Sequence, residues 1–224
     1  MMTTQTIDQG FDGDAMRRLM VASQLRTSGV SDARVVAAMS EVPREAFMPE
    51  HARGLAYRDT DIPLGKGRRQ NAPLATARLL NEARILPGHR VLLIGAASGY
   101  TAAVLALVAR EVVAVECDPV LANVARSRLA GVASVRVVEA PLAAGAADGA
   151  PYDVMVIDGA VEAVPDTLAE QVRPGGRIVA GLVDNGVTRL AMGERTVGGV
   201  GLVDFADMAC TLLPGFTKPR SFRF

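Results

Sequence analysis

The sequence predicts an α/β protein built on a doubly wound sheet, with a helical extension ahead of it. Three observations carry this prediction. Short apolar runs at 91–94, 111–116, 135–138, 152–157 and 177–182 have the length of buried strands. Apolar residues at helical spacing lie between most of them, an alternation that calls for a parallel sheet covered on both faces. Gly95-Ala96-Ala97-Ser98-Gly99 forms a tight small-residue turn between the first strand and the helix after it. At 224 residues the chain is long enough for one domain with a substantial core. Within it, 14–73 reads as N-terminal helices and a site loop, and 74–224 as the sheet-bearing core.

Taken in order, the residues before Asp14 are polar and read as a tail. They contain no apolar segment of the kind a secretory signal needs. Met16, Leu19 and Met20 share a face of a helix over 14–25, with Asp14 placed to cap it. Ser31 is placed to cap a second helix bearing Val35, Val36 and Met39, which Val42-Pro43-Arg44 ends. Residues 47–73 are rich in Pro, Gly and charge and read as a long structured loop, a feature usually tied to function. Leu74, Ala77, Leu80 and Ala83 predict a helix over 74–86. A helix begins at Tyr100 and runs on toward Arg110. Asp118-Pro119 then makes an N-cap and first-turn pair for a helix with Leu121, Val124, Ala125 and Leu129. Residues 145–150 read as loop, and the strand at 152–157 ends on Asp158-Gly159. A helix near 166–172 stops at Arg173-Pro174-Gly175-Gly176, and 187–192 with 200–205 suggest a closing antiparallel pair.

The central unit is strand, glycine turn, helix, then a strand ending on Glu116. This Rossmann-like arrangement is the footprint of a nucleoside-binding crossover. Small residues let the backbone approach the ligand, the helix N-terminus favours an anion, and the acid accepts ribose hydroxyls. Tyr100 stands where a dinucleotide fingerprint wants its third glycine, which weakens a nicotinamide-dinucleotide reading. Glu116 reads as a ribose acceptor ahead of a solvated strand-end acid.

Composition narrows the remaining classes. Lys plus Arg equal Asp plus Glu at 24 each, so the balance gives no support to binding nucleic acid or an anionic membrane. The apolar run 102–109 is too short to span a bilayer. The two cysteines, Cys117 and Cys210, read as structural thiols of a reducing compartment, so a cytoplasmic protein is expected. His51 and His89 lie in no ligand or triad pattern, and no metal site is expected.

Longer stretches then carry a resemblance. They include Met20-Val21, Gln24-Leu25, Gly29-Val30, Val42-Pro43-Arg44-Glu45, Ala56-Tyr57, Gly65, Gly67, Gly95, Ser98-Gly99-Tyr100, Glu116 and Arg173-Pro174-Gly175-Gly176-Arg177. Together they resemble the protein-L-isoaspartate O-methyltransferase family, without gaps from Met20 to Glu116 and more loosely to about Leu182. The resemblance implies a class I fold binding S-adenosyl-L-methionine and an enzyme methylating the side carboxylate of damaged aspartyl residues in proteins or peptides. It places the cofactor on Gly95, Ala96, Ala97, Ser98, Gly99, Tyr100, Glu116, Cys117, Pro141, Leu142 and Asp158. It places the substrate on Arg68, Arg69, Gln70 and Asn71. A degenerate member acting as a binding or regulatory module, or one with another acceptor, is the alternative.

The chain departs from the family pattern at the positions that carry chemistry. The family loop Gly-x-Gly-Gln-Thr-Ile-Ser-Gln-Pro is Gly65-Lys66-Gly67-Arg68-Arg69-Gln70-Asn71-Ala72-Pro73, so Asn71 stands at the active-site serine. Leu93 replaces an acid, Ala97 a glycine, and Ala140-Pro141-Leu142 a Gly-Asp-Gly whose aspartate holds the adenine end. Asp158-Gly159-Ala160-Val161-Glu162 replaces a small apolar segment. Asp158 either caps a turn or lines the cofactor pocket. Arg68-Arg69 reads as a solvated loop pair, with a carboxylate clamp as the alternative, and Cys117 as a packed neighbour of the nucleoside.

Overall fold

The computed structural model describes residues 12–217. Of the polar tail expected before Asp14, residues 1–11 lie outside that range. Asp12 already caps the first helix, α1 (Gly13–Met20), by accepting from the Ala15 amide at 2.9 Å. Asp14, expected as the cap, sits within the first turn and pairs with Arg17 at 2.5 Å. The helical path continues past α1 as a π-turn (Val21–Leu25) and a 3₁₀ turn (Arg26–Ser28), which accounts for the longer periodic pattern. α2 (Ala33–Glu41) is capped by Asp32 rather than Ser31, because Asp32 accepts from the Arg34 amide at 2.9 Å.

The expected loop at 47–73 contains a two-stranded antiparallel ribbon, β1 (Ile62–Gly65) with β2 (Arg68–Gln70), separate from the main sheet. Its turn needs three left-handed residues, Gly65, Lys66 and Gly67, which the two glycines adopt freely. α3 (Pro73–Ala83) follows with Pro73 in its first turn, shorter than the predicted 74–86.

The main sheet then unfolds as β3 (Arg90–Ile94), α4 (Tyr100–Ala106), β4 (Glu111–Glu116), α5 (Pro119–Arg128), β5 (Val135–Glu139) and β6 (Tyr152–Val161). It continues with α6 (Asp166–Ala169), β7 (Val172–Asp184), β8 (Val187–Thr196), a two-residue β9 (Gly199–Val200) and β10 (Val203–Asp207). Strand order is β10-β8-β7-β6-β3-β4-β5, with β9 beside β8. Strands β7, β6, β3, β4 and β5 run parallel, and β8 and β10 close the edge antiparallel. This is the α/β Rossmann-like sheet expected from the alternation. Its winding reverses between β3 and β6, where an open α/β sheet has its crevice.

Both faces are covered, which is why the strands read as continuous apolar runs. On β3, Val91 and Leu93 pack with the N-terminal helices and α3, while Leu92 and Ile94 face the opposite layer. β4 alternates likewise, Val112 and Ala114 against Val113 and Val115. The opposite layer is closed by Leu142, Leu168, Leu213 and Phe216.

α4 stops at Ala106 rather than running on toward Arg110, and three boundaries around β6 and β7 differ for one reason: the sheet is longer there than its apolar runs. β6 passes through Asp158-Gly159 to Val161 by means of a register shift between Ile157 and Ala160. β7 absorbs Arg173-Pro174-Gly175-Gly176, expected to end a helix, through a second shift. α6 is correspondingly reduced to one turn. No helix among the described residues is long and apolar enough to cross a membrane.

Candidate active site

The glycine turn after β3 is pinned to β4 rather than left open. The amides of Gly95 and Ala96 both donate to the Val115 carbonyl, at 3.0 and 2.9 Å. The Gly99 amide donates to the Ala96 carbonyl at 2.9 Å. Gly99 has φ +100°, and a Cβ there would lie 3.0 Å from Leu129. Ala97 is also left-handed, at φ +50°, a conformation that favours the glycine it replaces. The amides of Gly95, Ala96 and Gly99 are thus satisfied within the fold. Ser98 Oγ donates to the Phe47 carbonyl at 2.5 Å, and Tyr100 is buried edge-on to Phe47 with Arg44 over its ring. Burial raises the Tyr100 phenol to about 12.

Glu116, at the end of β4, is fully buried. Its Oε1 accepts from Arg68 Nε at 3.0 Å and from the Cys117 and Asp118 amides at 3.0 and 3.1 Å. Its Oε2 accepts from Arg68 Nη2 at 2.8 Å and the Ala97 amide at 2.7 Å. Burial pushes this carboxyl upward, but the Arg68 guanidinium and the amides outweigh it and hold it below its usual range. The same pairing raises Arg68 against its own burial. Arg68 is only 4% exposed, which corrects the expectation of a solvated Arg68-Arg69 pair. A bidentate ion pair with buried partners explains why the arginine turns inward. Arg69 does lie at the surface, where it pairs with Asp61.

Asn71 and Asp158 form a second centre. Asp158, 4% exposed, accepts from Asn71 Nδ2 at 3.0 Å, Thr76 Oγ1 at 2.8 Å and Thr101 Oγ1 at 2.5 Å. It therefore ties the loop, α3 and α4 to β6 instead of capping a turn. Asn71 Nδ2 also reaches Cys210 Sγ at 3.1 Å, and its Oδ1 accepts from the Thr211 amide at 3.2 Å. Burial raises the Cys210 thiol to about 12, so it is protonated at neutral pH. Gln70 is buried with its Oε1 3.5 Å from Ser98 Oγ. Arg44 is buried beneath, donating to the carbonyls of Asn71 at 2.6 Å and Ala56 at 2.8 Å.

The segment after β10 lies across the crevice between β3 and β6. The Ala160 amide donates to the Thr211 carbonyl at 2.6 Å, and the Leu213 amide to the Ala160 carbonyl at 2.9 Å. A Cβ on Gly95 would come within 3.1 Å of Leu213, and one on Gly159 within 2.6 Å. On one side of this segment is a cavity of about 310 Å³ lined by Asp59, Asp61, Asn71, Cys210 and Thr211. On the other is one of about 450 Å³ bounded by Cys117, Ala140, Pro141, Leu142 and Pro214. Among the described residues no group of His, Cys, Asp or Glu is placed to hold a metal ion.

Residues 16–201 match the family model described as protein-L-isoaspartate(D-aspartate) O-methyltransferase. The chain belongs to that family. A protein-L-isoaspartate O-methyltransferase 1 from Rhodopseudomonas palustris (strain HaA2) is 42% identical over 81% of this chain and 76% of its own length. A protein-L-isoaspartate O-methyltransferase 2 from Marinobacter nauticus is 41% identical over 89% of this chain and 95% of its own. A solved protein-L-isoaspartate O-methyltransferase superposes with a TM-score of 0.78 at 23% identity, over 91% of this chain and 66% of that one. A putative relative from Plasmodium falciparum, solved with S-adenosyl-L-homocysteine, gives 0.72 at 16% over 90% and 98%. The expected class I fold is thereby shown. Placed in that fold, the turn 95–100, Glu116, Cys117, Pro141 and Leu142 meet at the carboxyl ends of the sheet, with Arg68–Asn71 over them. Sequence reasoning missed Arg44, Thr76, Thr101, Thr211 and Leu213. Arg44 lay within a quoted family word, but nothing in the sequence marked Leu213.

Proposed function

We propose that this protein is an S-adenosyl-L-methionine-dependent O-methyltransferase acting on the side carboxylate of isoaspartyl residues in proteins. Membership of the methyltransferase family carries the proposal, and the position of Glu116 supports it. The residues fit a nucleoside: a buried carboxylate stands at the end of β4, beside an apolar cavity large enough for a base. Glu116 would accept the ribose hydroxyls, and Cys117, Pro141 and Leu142 would flank the base. Pro141 offers neither side-chain acceptor nor N–H, so the base is held there by shape.

When bound, the cofactor supplies an electrophilic methyl group. The acceptor carboxylate ionises near pH 4 and needs no base at neutral pH, consistent with a site without a triad. The remaining task is alignment in a dry pocket. Asn71 faces the 310 Å³ cavity from the loop, but both atoms of its amide already serve Asp158, Cys210 and Thr211. Its role in this reading is to position the loop. The free thiols Cys117 and Cys210 suit a reducing, cytoplasmic setting.

The alternative, a non-catalytic module, is favoured by one observation: every Glu116 lone pair is already in use. Transfer of labelled methyl from S-adenosyl-L-methionine to an isoaspartyl peptide, against the aspartyl isomer, decides between them. Isomer-selective turnover is expected. Binding of S-adenosyl-L-homocysteine without transfer would mean another acceptor, and no binding would mean the module.

A further inference from the structure

Building on the proposed cofactor dependence, we propose that this chain fills the ribose end of its own nucleoside cleft and leaves the base cavity open. Arg68 occupies the ribose acceptor and Leu213 occupies the crevice over the glycine turn, so the cofactor enters only by displacing both. A carboxylate offers about four lone-pair positions. Glu116 already receives five N–H groups, two of them from Arg68. The two parallel donors of the guanidinium fork present the same pattern as a vicinal diol. Arg68 and a ribose therefore compete for one acceptor.

The parts that close the cleft are built to move together. Arg68 sits on the β1–β2 ribbon, which is separate from the main sheet, and an isolated two-stranded ribbon is marginal by itself. Its tip is held by the exposed Lys66 against Asp118 at 3.7 Å, a long single contact of little weight. Leu213 is carried by a segment whose sheet contact is a single bridge, Ala160 to Leu212, with two hydrogen bonds. Asn71 joins the two parts, directly after β2 and bonded to Cys210 and Thr211. Closure is also imperfect, since Arg68 Nη1 is buried without a partner. Leaving for solvent would satisfy it.

The test is calorimetry with S-adenosyl-L-homocysteine on the wild type, Arg68→Gln and Leu213→Ala. Arg68→Gln restores the family residue, and Leu213→Ala leaves the ion pair intact. If the open form is a minor state, affinity falls by its fraction, so each variant is expected to bind about tenfold more tightly than wild type. Amide hydrogen exchange of wild type should quicken at Thr211 and Leu213 when ligand is added. Equal or weaker binding by the folded variants, with the wild type binding well, would overturn the closed cleft and leave the methyltransferase reading standing. Absence of binding in all three would overturn both. Should Arg68→Gln fail to fold, Leu213→Ala decides alone.

Discussion

Glu116 is a buried charge held by one side-chain cation, and its titration should be visible in stability. Its folded pKa lies below the ordinary value of 4.5. The pair's contribution is therefore complete above about pH 5 and is lost as pH falls through the folded value. Glu116→Gln removes the titration and breaks a buried pair, and because Arg68 can turn out to solvent the cost at neutral pH is about 1–3 kcal/mol. Urea denaturation at pH 7 and at about pH 3.5 checks this. The wild type should lose more stability between the two than the glutamine variant; parallel losses would show that the pair does not govern acid stability. The acid at the end of β4 was legible because its place in the strand–turn–helix–strand unit is fixed by sequence. Its partner was not. Nothing local distinguishes Arg68, which turns inward, from Arg69, which pairs at the surface.

Among elements, the legible ones were those set by local periodicity and caps, such as α5 with Asp118 and Pro119. Boundaries failed where tertiary pairing overrode local signals. β6 runs on through Asp158-Gly159 because β7 and the 211–213 segment supply partners on either side. Gly159 is the point of closest approach, where an added Cβ would lie 2.6 Å from Leu213 Cγ and 2.8 Å from the Thr211 carbonyl. Gly159→Ala should push that segment away at a cost of about 1–3 kcal/mol. Limited proteolysis should then cut near 209–216 faster than in the wild type. An unchanged cleavage rate would mean the segment adjusts without detaching.

For the whole molecule, the sheet rests on strands buried on both faces, and its core is far less negotiable than its cleft. Leu93, fully buried on β3, stands where the family pattern has an acid. Leu93→Ala should cost about 2–5 kcal/mol, measured by urea midpoint. The control Leu86→Ala, at a side chain 52% exposed, should fall within about 0.5 kcal/mol of wild type. Similar losses for both would place the core elsewhere. The fold was readable from the alternation alone, whereas the cleft was not, because its contacts join distant parts of the chain: Arg68 with Glu116, and Asn71 with Thr211.

That distance has a consequence for the order of events at the ribosome. Strands β3 to β7 are made before residues 209–216, so the sheet that forms the crevice precedes the segment that covers it. A nascent chain therefore exposes Gly95 and Gly159 uncovered until Leu213 has been added. The crevice is born open and is shut only once the segment after β10 has been made.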